Sequence, residues 1–358
     1  FGGMIDLSVG SPVDPVPDSV RKSLAAAAND PNAYGYPATA GTADLRTAIA
    51  EWFSATRNVD LQAIHADVVP TVGSKEGVAL MASLLHFGED DVVVQPKVSY
   101  PTYEIGTQLA GAKVLKVDDV ADVASWRNVP GVKAVWVNSP CNPTGEVYSA
   151  ERMAGIVAAA REIGAVVLSD ECYALMQRGA VNGAEGEADS LASTPCALCD
   201  DVCLGSAEGV LVLYSLSKQS NMAGYRTAFI AGDESLIASM SAYRKQIGQI
   251  IPGPVQAAMA AGLRDLESVK VQHARYRERL SVLVSALRAY GYCTDMPDGA
   301  LYVWVRAKSG DCWTDMEQLA KIGIIASPGE FYGAPECLRF SATASDEAIA
   351  SAAERLAR

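Results

Sequence analysis

Between residues 68 and 231 short apolar runs alternate with amphipathic segments, and nothing else in the chain constrains its fold as strongly. Seven runs read as strands, at 68–72, 92–95, 113–117, 134–138, 166–169, 210–214 and 227–231. Segments with helical periodicity separate several of them, at 76–87, 103–109 and 151–163. Apolar runs joined through helices imply strands buried on both faces, hence a mostly parallel sheet covered by helices. The expected fold class is therefore α/β, with a seven-stranded, mostly parallel sheet. Ligands of such sheets bind beyond the carboxyl ends of the strands. The chemically distinctive residues fall there: Gly73, Ser74 and Lys75 after the first run, Tyr100 after the second, Asn142 after the fourth, Asp170 after the fifth, and Ser215 to Lys218 after the sixth.

The flanks have a different texture. Residues 5–15 read as a short strand entering a Gly/Pro turn, where Gly10 would let backbone approach a ligand. Helices are expected at 18–28 and 44–53, on either side of a Tyr- and Gly-rich loop that contains Tyr36. Two more follow, at 256–264 and 267–290. Beyond them come a strand at 301–305, a helix at 315–322, a short run at 324–326, a strand at 337–342 and a terminal helix starting at Ser345. This implies a smaller α+β domain. A chain of 358 residues suits about two domains. The expected division is a large domain over 30–265 and a small one built from 1–29 and 266–358.

A net charge of −13 argues against nucleic acid and anionic membrane surfaces as partners. No apolar run approaches the ~20 residues of a membrane span, and no charged-then-apolar leader is visible. The chain begins at Phe1, so natural N-terminal residues are expected to be missing. The 8 cysteines are scattered as reduced thiols of a cytoplasmic protein would be. Cys196, Cys199 and Cys203 cluster, but a zinc or iron–sulfur site needs a fourth ligand. No second C-x-x-C exists, and His65, His86 and His273 are distant in sequence, so no metal is expected.

Lys218 ends an apolar strand that has broken into Ser215 and Ser217. An ammonium there is too costly to bury unpaired; it reaches solvent or does chemistry. A neutral amine at the mouth of an apolar site can condense with an aldehyde. With the two serines before it and Arg226 eight residues later, it suits pyridoxal 5'-phosphate (PLP), which has an aldehyde at one end and a phosphate at the other. Asp170, ending a buried strand, would hold the ring nitrogen protonated, since a carboxylate beside a cation shifts proton affinity by about 1–3 units. Glu171 should face the other way if the pleat persists. Tyr173 and Asn142 would donate to the phenolate oxygen. Gly73, Ser74 and Lys75 open a helix whose free N–H groups suit the phosphate, together with Ser215 and a bidentate Arg226. Tyr100 would stack on the ring.

The set Asn142-Pro-Thr-Gly145, Ser169-Asp-Glu-x-Tyr173, Ser215-x-Ser-Lys218 and Leu338-Arg339-Phe-Ser resembles the class I/II aminotransferases of PLP fold type I, across essentially the whole chain. The resemblance implies that Arg339 binds the substrate α-carboxylate beside Gly10. It also implies that Tyr36 reaches the phosphate of a neighbouring subunit, hence a homodimer with shared active sites. Segments 7–17, 34–42 and 72–77 look most like the actinobacterial N-succinyldiaminopimelate aminotransferases of lysine biosynthesis. Cys141, Cys172 and the cysteine-bearing segment 179–205 depart from the usual pattern.

The expected reaction is transamination between an amino acid and 2-oxoglutarate, with N-succinyl-LL-2,6-diaminopimelate as donor and Lys218, Asp170 and Tyr173 as the catalytic set. Lys75 is a candidate partner for a distal substrate carboxylate. Another amino-acid aminotransferase or a β-C–S lyase could use the same scaffold. A non-catalytic PLP-binding regulatory domain would need a basic DNA-binding segment, and the chain has none.

Overall fold

The computed structural model describes residues 3–177 and 194–358; of the cysteine-bearing segment 179–205, only 194–205 falls among them. The chain enters through β1 (Ile5–Asp6), α1 (Asp18–Ala28) and α2 (Ala43–Arg57). The Thr42 hydroxyl accepts from Leu45 N–H and so satisfies one of the free donors at the start of α2.

Strands and helices then alternate: β2 (Ala66–Val72), α3 (Ser74–Leu84), β3 (Val92–Pro96), α4 (Thr102–Leu109), β4 (Lys113–Val117), β5 (Val132–Asn138), α5 (Ala150–Glu162), β6 (Val166–Asp170), the single turn α6 (Asp200–Cys203), β7 (Val210–Ser215), the single turn α7 (Leu216–Gln219) and β8 (Thr227–Asp233). All seven expected strands form one sheet, in the order β2-β8-β7-β6-β5-β3-β4. The pairings from β7 through β6, β5 and β3 to β4 are parallel. β8 runs against both its neighbours, β2 and β7, so the sheet is mixed. The cause is local. Only residues 216–226 connect β7 to β8, fewer than a parallel crossover needs. Arg226, at φ 57°, turns the chain back.

β7 illustrates how the sheet buries both faces. Val210, Val212 and Tyr214 point into one core with α2 and α5; Leu211 and Leu213 point into a second core with α3 and α4. That is the period of two expected of a strand. Besides the single turns α6 and α7, one longer helix escaped the sequence reading: α8 (Glu234–Gln246), capped by the Asp233 carboxylate on Ser235 and Leu236 N–H. Among its residues only Ile237, Met240 and Arg244 are buried, so its apolar stripe is thin.

After α9 (Gly253–Arg264) and the 24-residue α10 (Leu266–Ala289) the chain builds a third core. It comprises β9 (Tyr302–Arg306), α11 (Cys312–Lys321), β10 (Ile324–Ile325), β11 (Ser327–Pro328), β12 (Cys337–Ser341) and α12 (Asp346–Leu356). β12 lies antiparallel between β11 and β9. The N-terminal segment divides between these bodies. β1 pairs with β10, while Val20 of α1 joins the core that backs the large sheet.

Candidate active site

The carboxyl ends of β6 and β7, the start of α3 and the small sheet enclose a cavity of about 590 Å³. Lys218 lies on its wall, on the turn α7 that follows β7 directly. The Ser215 hydroxyl accepts from Ser217 N–H and lies 2.9 Å from the Ser217 hydroxyl, which fixes that turn. The Lys218 ammonium donates to the Gly10 carbonyl. A Cβ at Gly10 would collide with the Tyr302 hydroxyl, so only glycine fits there.

Asp170 ends β6 and is buried in the same cavity. Its carboxylate accepts from the Tyr103 hydroxyl at 2.7 Å and from Cys172 N–H at 3.2 Å. Burial raises its pKa, and the Tyr103 and Cys172 donors only partly oppose that. Among the described residues no ion pair forms at this carboxyl, and a pyridinium N–H would supply a cation. Tyr103 is itself clamped on Trp136, ring centroids 4.4 Å apart. Glu171 turns to the opposite side, as the pleat requires, and pairs with buried Arg57 at 2.6 Å.

Tyr173 and Asn142 also line the cavity. The Asn142 side-chain oxygen accepts from Arg339 Nη1 at 2.8 Å, which leaves the amide's donor side for another acceptor. Arg339 Nη2 donates to the Ser8 carbonyl at 2.7 Å. The guanidinium is sandwiched between the Tyr302 and Tyr332 rings, at 4.0 and 4.8 Å. Its Nε is buried without a partner among the described residues. A buried N–H left unmade is expensive, and a carboxylate entering the cavity would satisfy it.

Ser74, Lys75, Tyr100, Ser215, Ser217 and Arg226 complete the wall. Gly73 stands just behind it at φ +79°, and a Cβ there would strike the Arg226 guanidinium. Gly73 therefore lets Arg226 lie against the N-terminus of α3, a ready anion site. Lys75 Nζ stands 5.8 Å from the Tyr100 ring centre. Burial raises the Tyr100 phenol to about 12. Tyr36 is fully exposed and contributes nothing to this chain's own cavity.

The sequence reading passed over Tyr302, Tyr332, Phe331 and Asn138, all of which reach the cavity. Tyr302, Phe331 and Tyr332 come from the small sheet and its neighbouring loop, where no pattern marks them. Asn138 carried a usable signal, a polar residue closing a buried apolar strand. It donates to the Asp170 carbonyl at 2.9 Å and accepts from Asn142 N–H at 2.8 Å, tying β5 to β6.

The donor set fits PLP: an amine, a buried carboxyl without a cation, an unpartnered N–H on Arg339, and a Gly73 cradle beside Arg226. When bound, PLP supplies an electron sink for charge that develops at the substrate α-carbon.

Comparison with known proteins agrees. A 4-dedimethylamino-4-oxo-anhydrotetracycline transaminase of Streptomyces rimosus is 40% identical over 357 residues, covering 99% of this chain and 93% of the relative. An LL-diaminopimelate aminotransferase of Syntrophobacter fumaroxidans is 29% identical, covering 99% and 90%. A solved structure from Thermus thermophilus, described as a probable N-succinyldiaminopimelate aminotransferase, superposes with a TM-score of 0.84 at 27% identity, covering 99% and 94%. The family profile described as aminotransferase class I and II matches residues 2–356. Fold, cavity and sequence thus agree, and the chain belongs to the class I and II aminotransferases, PLP-dependent enzymes that exchange amino groups between amino acids and oxo acids.

Proposed function

We propose that the protein transfers an amino group from N-succinyl-LL-2,6-diaminopimelate to 2-oxoglutarate, in lysine biosynthesis, as a cytoplasmic homodimer with shared active sites. The observation that carries the reading is a pair of cations on the wall of one cavity. Arg339 is buried with an open N–H, and Lys75 is exposed on the first turn of α3. 2-Oxoglutarate carries two carboxylates, and the succinylated donor has one at each end. A substrate α-carboxylate on Arg339 leaves Lys75 for the distal one. The diaminopimelate-named relatives support the same choice. Eight free cysteines suit a reducing compartment.

Within this reading the side chains divide the work. The Lys218 amine would hold the cofactor aldehyde, and its Nζ would move the proton at the substrate α-carbon. Asp170 keeps the ring nitrogen protonated. Tyr173 and Asn142 donate to the phenolic oxygen, and Tyr100 covers the ring. Ser74, Ser215, Ser217 and Arg226 hold the phosphate, with Gly73 giving them room. Gly10 leaves space for the substrate carboxylate at Arg339. Tyr36, exposed on its own chain, would reach the partner subunit's phosphate site.

A screen of amino donors with 2-oxoglutarate tests the reading. N-succinyl-LL-diaminopimelate should give the highest kcat/KM. Lys75→Ala should raise its KM about tenfold while leaving alanine unchanged, as loss of one charged contact predicts. Absence of transfer from the succinylated donor, or equal loss for both donors, rejects it. One observation favours a second reading. Phe331 is exposed at the cavity and meets Trp313 edge-on, centroids 6.0 Å apart. A flat polycyclic ketone, the kind of substrate in the Streptomyces relative's name, could stack there, so such a ketone belongs in the screen as an acceptor.

A further inference from the structure

Behind β6, away from the cavity, lies a cluster that the transamination does not use. The Cys196 carbonyl accepts from Cys199 N–H at 3.0 Å, closing a turn over Cys196-Ala-Leu-Cys199. A turn of this size brings its end Cα atoms within about 7 Å, the span that a disulfide bridges. The two thiols perturb each other's proton affinity, Cys196 upward and Cys199 downward. Cys196 is fully buried and Cys199 is partly exposed. Both sit in the field of Arg57. The Arg57 side chain is wholly buried, and its Nε and Nη1 donors have no hydrogen-bond partner among the described residues.

We propose that Cys196 and Cys199 form a reversible dithiol–disulfide site, served by low-molecular-weight disulfides, whose closure loosens the Arg57–Glu171 pair behind Asp170. The unmet guanidinium donors point the same way. They leave the Arg57 positive charge only partly met by Glu171, and a thiolate beside Arg57 would gain from it. The neighbouring Cys196 thiol, together with the Arg57 charge, holds Cys199 below an ordinary thiol, while burial keeps Cys196 well above it. One nucleophilic, accessible sulfur and one buried, resolving sulfur are what the exchange needs.

The chemistry balances. The Cys199 thiolate attacks one sulfur of the small disulfide, forming a mixed disulfide and releasing one small thiolate. The Cys196 thiol passes its proton to the small thiolate just released, and its sulfur attacks the Cys199 sulfur and expels the second small thiolate. Two protein thiols are oxidised by two electrons, and one small disulfide is reduced to two thiols.

The link to Asp170 runs through the backbone of the same turn. Ala197 N–H donates to Glu171 Oε1 at 2.8 Å, and the Pro195 carbonyl accepts from Arg57 Nη2 at 3.2 Å. The Cys199 thiol also donates to the Arg57 carbonyl at 3.3 Å. Drawing the two sulfurs together must move this turn, and Glu171 adjoins Asp170 in the chain. The site is independent of which amino donor the enzyme uses.

The test treats the PLP-loaded protein with glutathione disulfide and maps its thiols by alkylation and mass spectrometry. The expected product has lost two hydrogens, has Cys196 and Cys199 both protected, and is restored by dithiothreitol. Cys203→Ser should behave identically, whereas Cys196→Ser should stop at a glutathione adduct on Cys199. The oxidised protein should release PLP several-fold faster than the reduced one, followed by absorbance. Both cysteines remaining open to alkylation, a stable glutathione adduct on wild-type Cys199, or equal PLP release from the two forms overturns the proposal.

Discussion

The hydroxyl of Tyr173 lies 2.8 Å from that of Tyr302, with both rings buried against the cavity. The two phenols are unequal. Burial pushes Tyr302 up, but the positive charges of Lys218 and Arg339 outweigh it and bring the phenol below its usual value. Burial, then the neighbouring Tyr302, holds Tyr173 well above. Either hydroxyl can donate in this pair; with the Tyr173 O–H turned to the cofactor's phenolic oxygen, Tyr302 would be the donor that Tyr173 accepts from. In Tyr302→Phe that support is lost. At about 1 kcal/mol for the bond, PLP should bind roughly five-fold more weakly. A donor at the phenolic oxygen favours the unprotonated state of the nitrogen joined to Lys218. The pH midpoint of the bound chromophore should therefore rise in the variant, as read by absorbance titration. An unchanged midpoint would mean that Tyr302 only fills space.

Asp170 is a group whose function opposes stability. Burial raises its pKa in the folded chain without cofactor, so the folded state prefers the neutral carboxyl. A group shifted this way contributes its full share of stability below the unfolded value of about 3.9 and loses it as pH rises through the folded value. Asp170→Asn, neutral throughout and still able to accept from Tyr103, should therefore match the wild-type apo-protein near pH 3.5. It should become the more stable of the two toward neutrality, while binding PLP far more weakly. Thermal melts of both apo-proteins across that range, beside a cofactor titration, check the two opposite signs.

The seven strands were legible because each is a continuous apolar run, and the placement of Lys218, Asp170 and Asn142 followed from where those runs stop. The reversed direction of β8 was not, because direction depends on the short 216–226 connection and on the left-handed Arg226, which no apolar pattern encodes. Glu171 was correctly turned from the cavity by the two-residue pleat, but its partner Arg57, 114 positions earlier, was out of reach. Tyr302 and Phe331 were missed for a related reason. Their place at the cavity depends on how the small sheet meets the large one, a contact between elements far apart in sequence.

Gly73 offers a way to separate phosphate binding from the rest of the proposed cofactor site. At φ +79° it occupies backbone space that side chains rarely adopt, and Arg226 fills the position a Cβ would take. Gly73→Ala should cost about 1–3 kcal/mol of stability from the backbone alone and displace the guanidinium. The discriminating measurement is affinity for PLP against affinity for pyridoxal, which has no phosphate. Their ratio should shrink at least tenfold in the variant, with pyridoxal affinity little changed. Equal loss for both ligands would place the damage in the ring site instead.

The Arg57–Glu171 pair offers the sharpest test of what lies behind Asp170. Both side chains are buried, 2.6 Å apart, and Glu171 also accepts from Ser169 and Ala197. Removing one partner strands a charge, which typically costs about 3–5 kcal/mol, whereas replacing both with neutral groups of similar volume is often close to neutral. Arg57→Met should therefore lower the urea midpoint of the apo-protein sharply, and Arg57→Met combined with Glu171→Gln should recover most of it. Two of the three Arg57 side-chain nitrogens have no hydrogen-bond partner among the described residues, so the double variant forfeits little hydrogen bonding. If the double variant were as unstable as Arg57→Met alone, the guanidinium would be acting through its packing against the 195–199 turn and not through its charge.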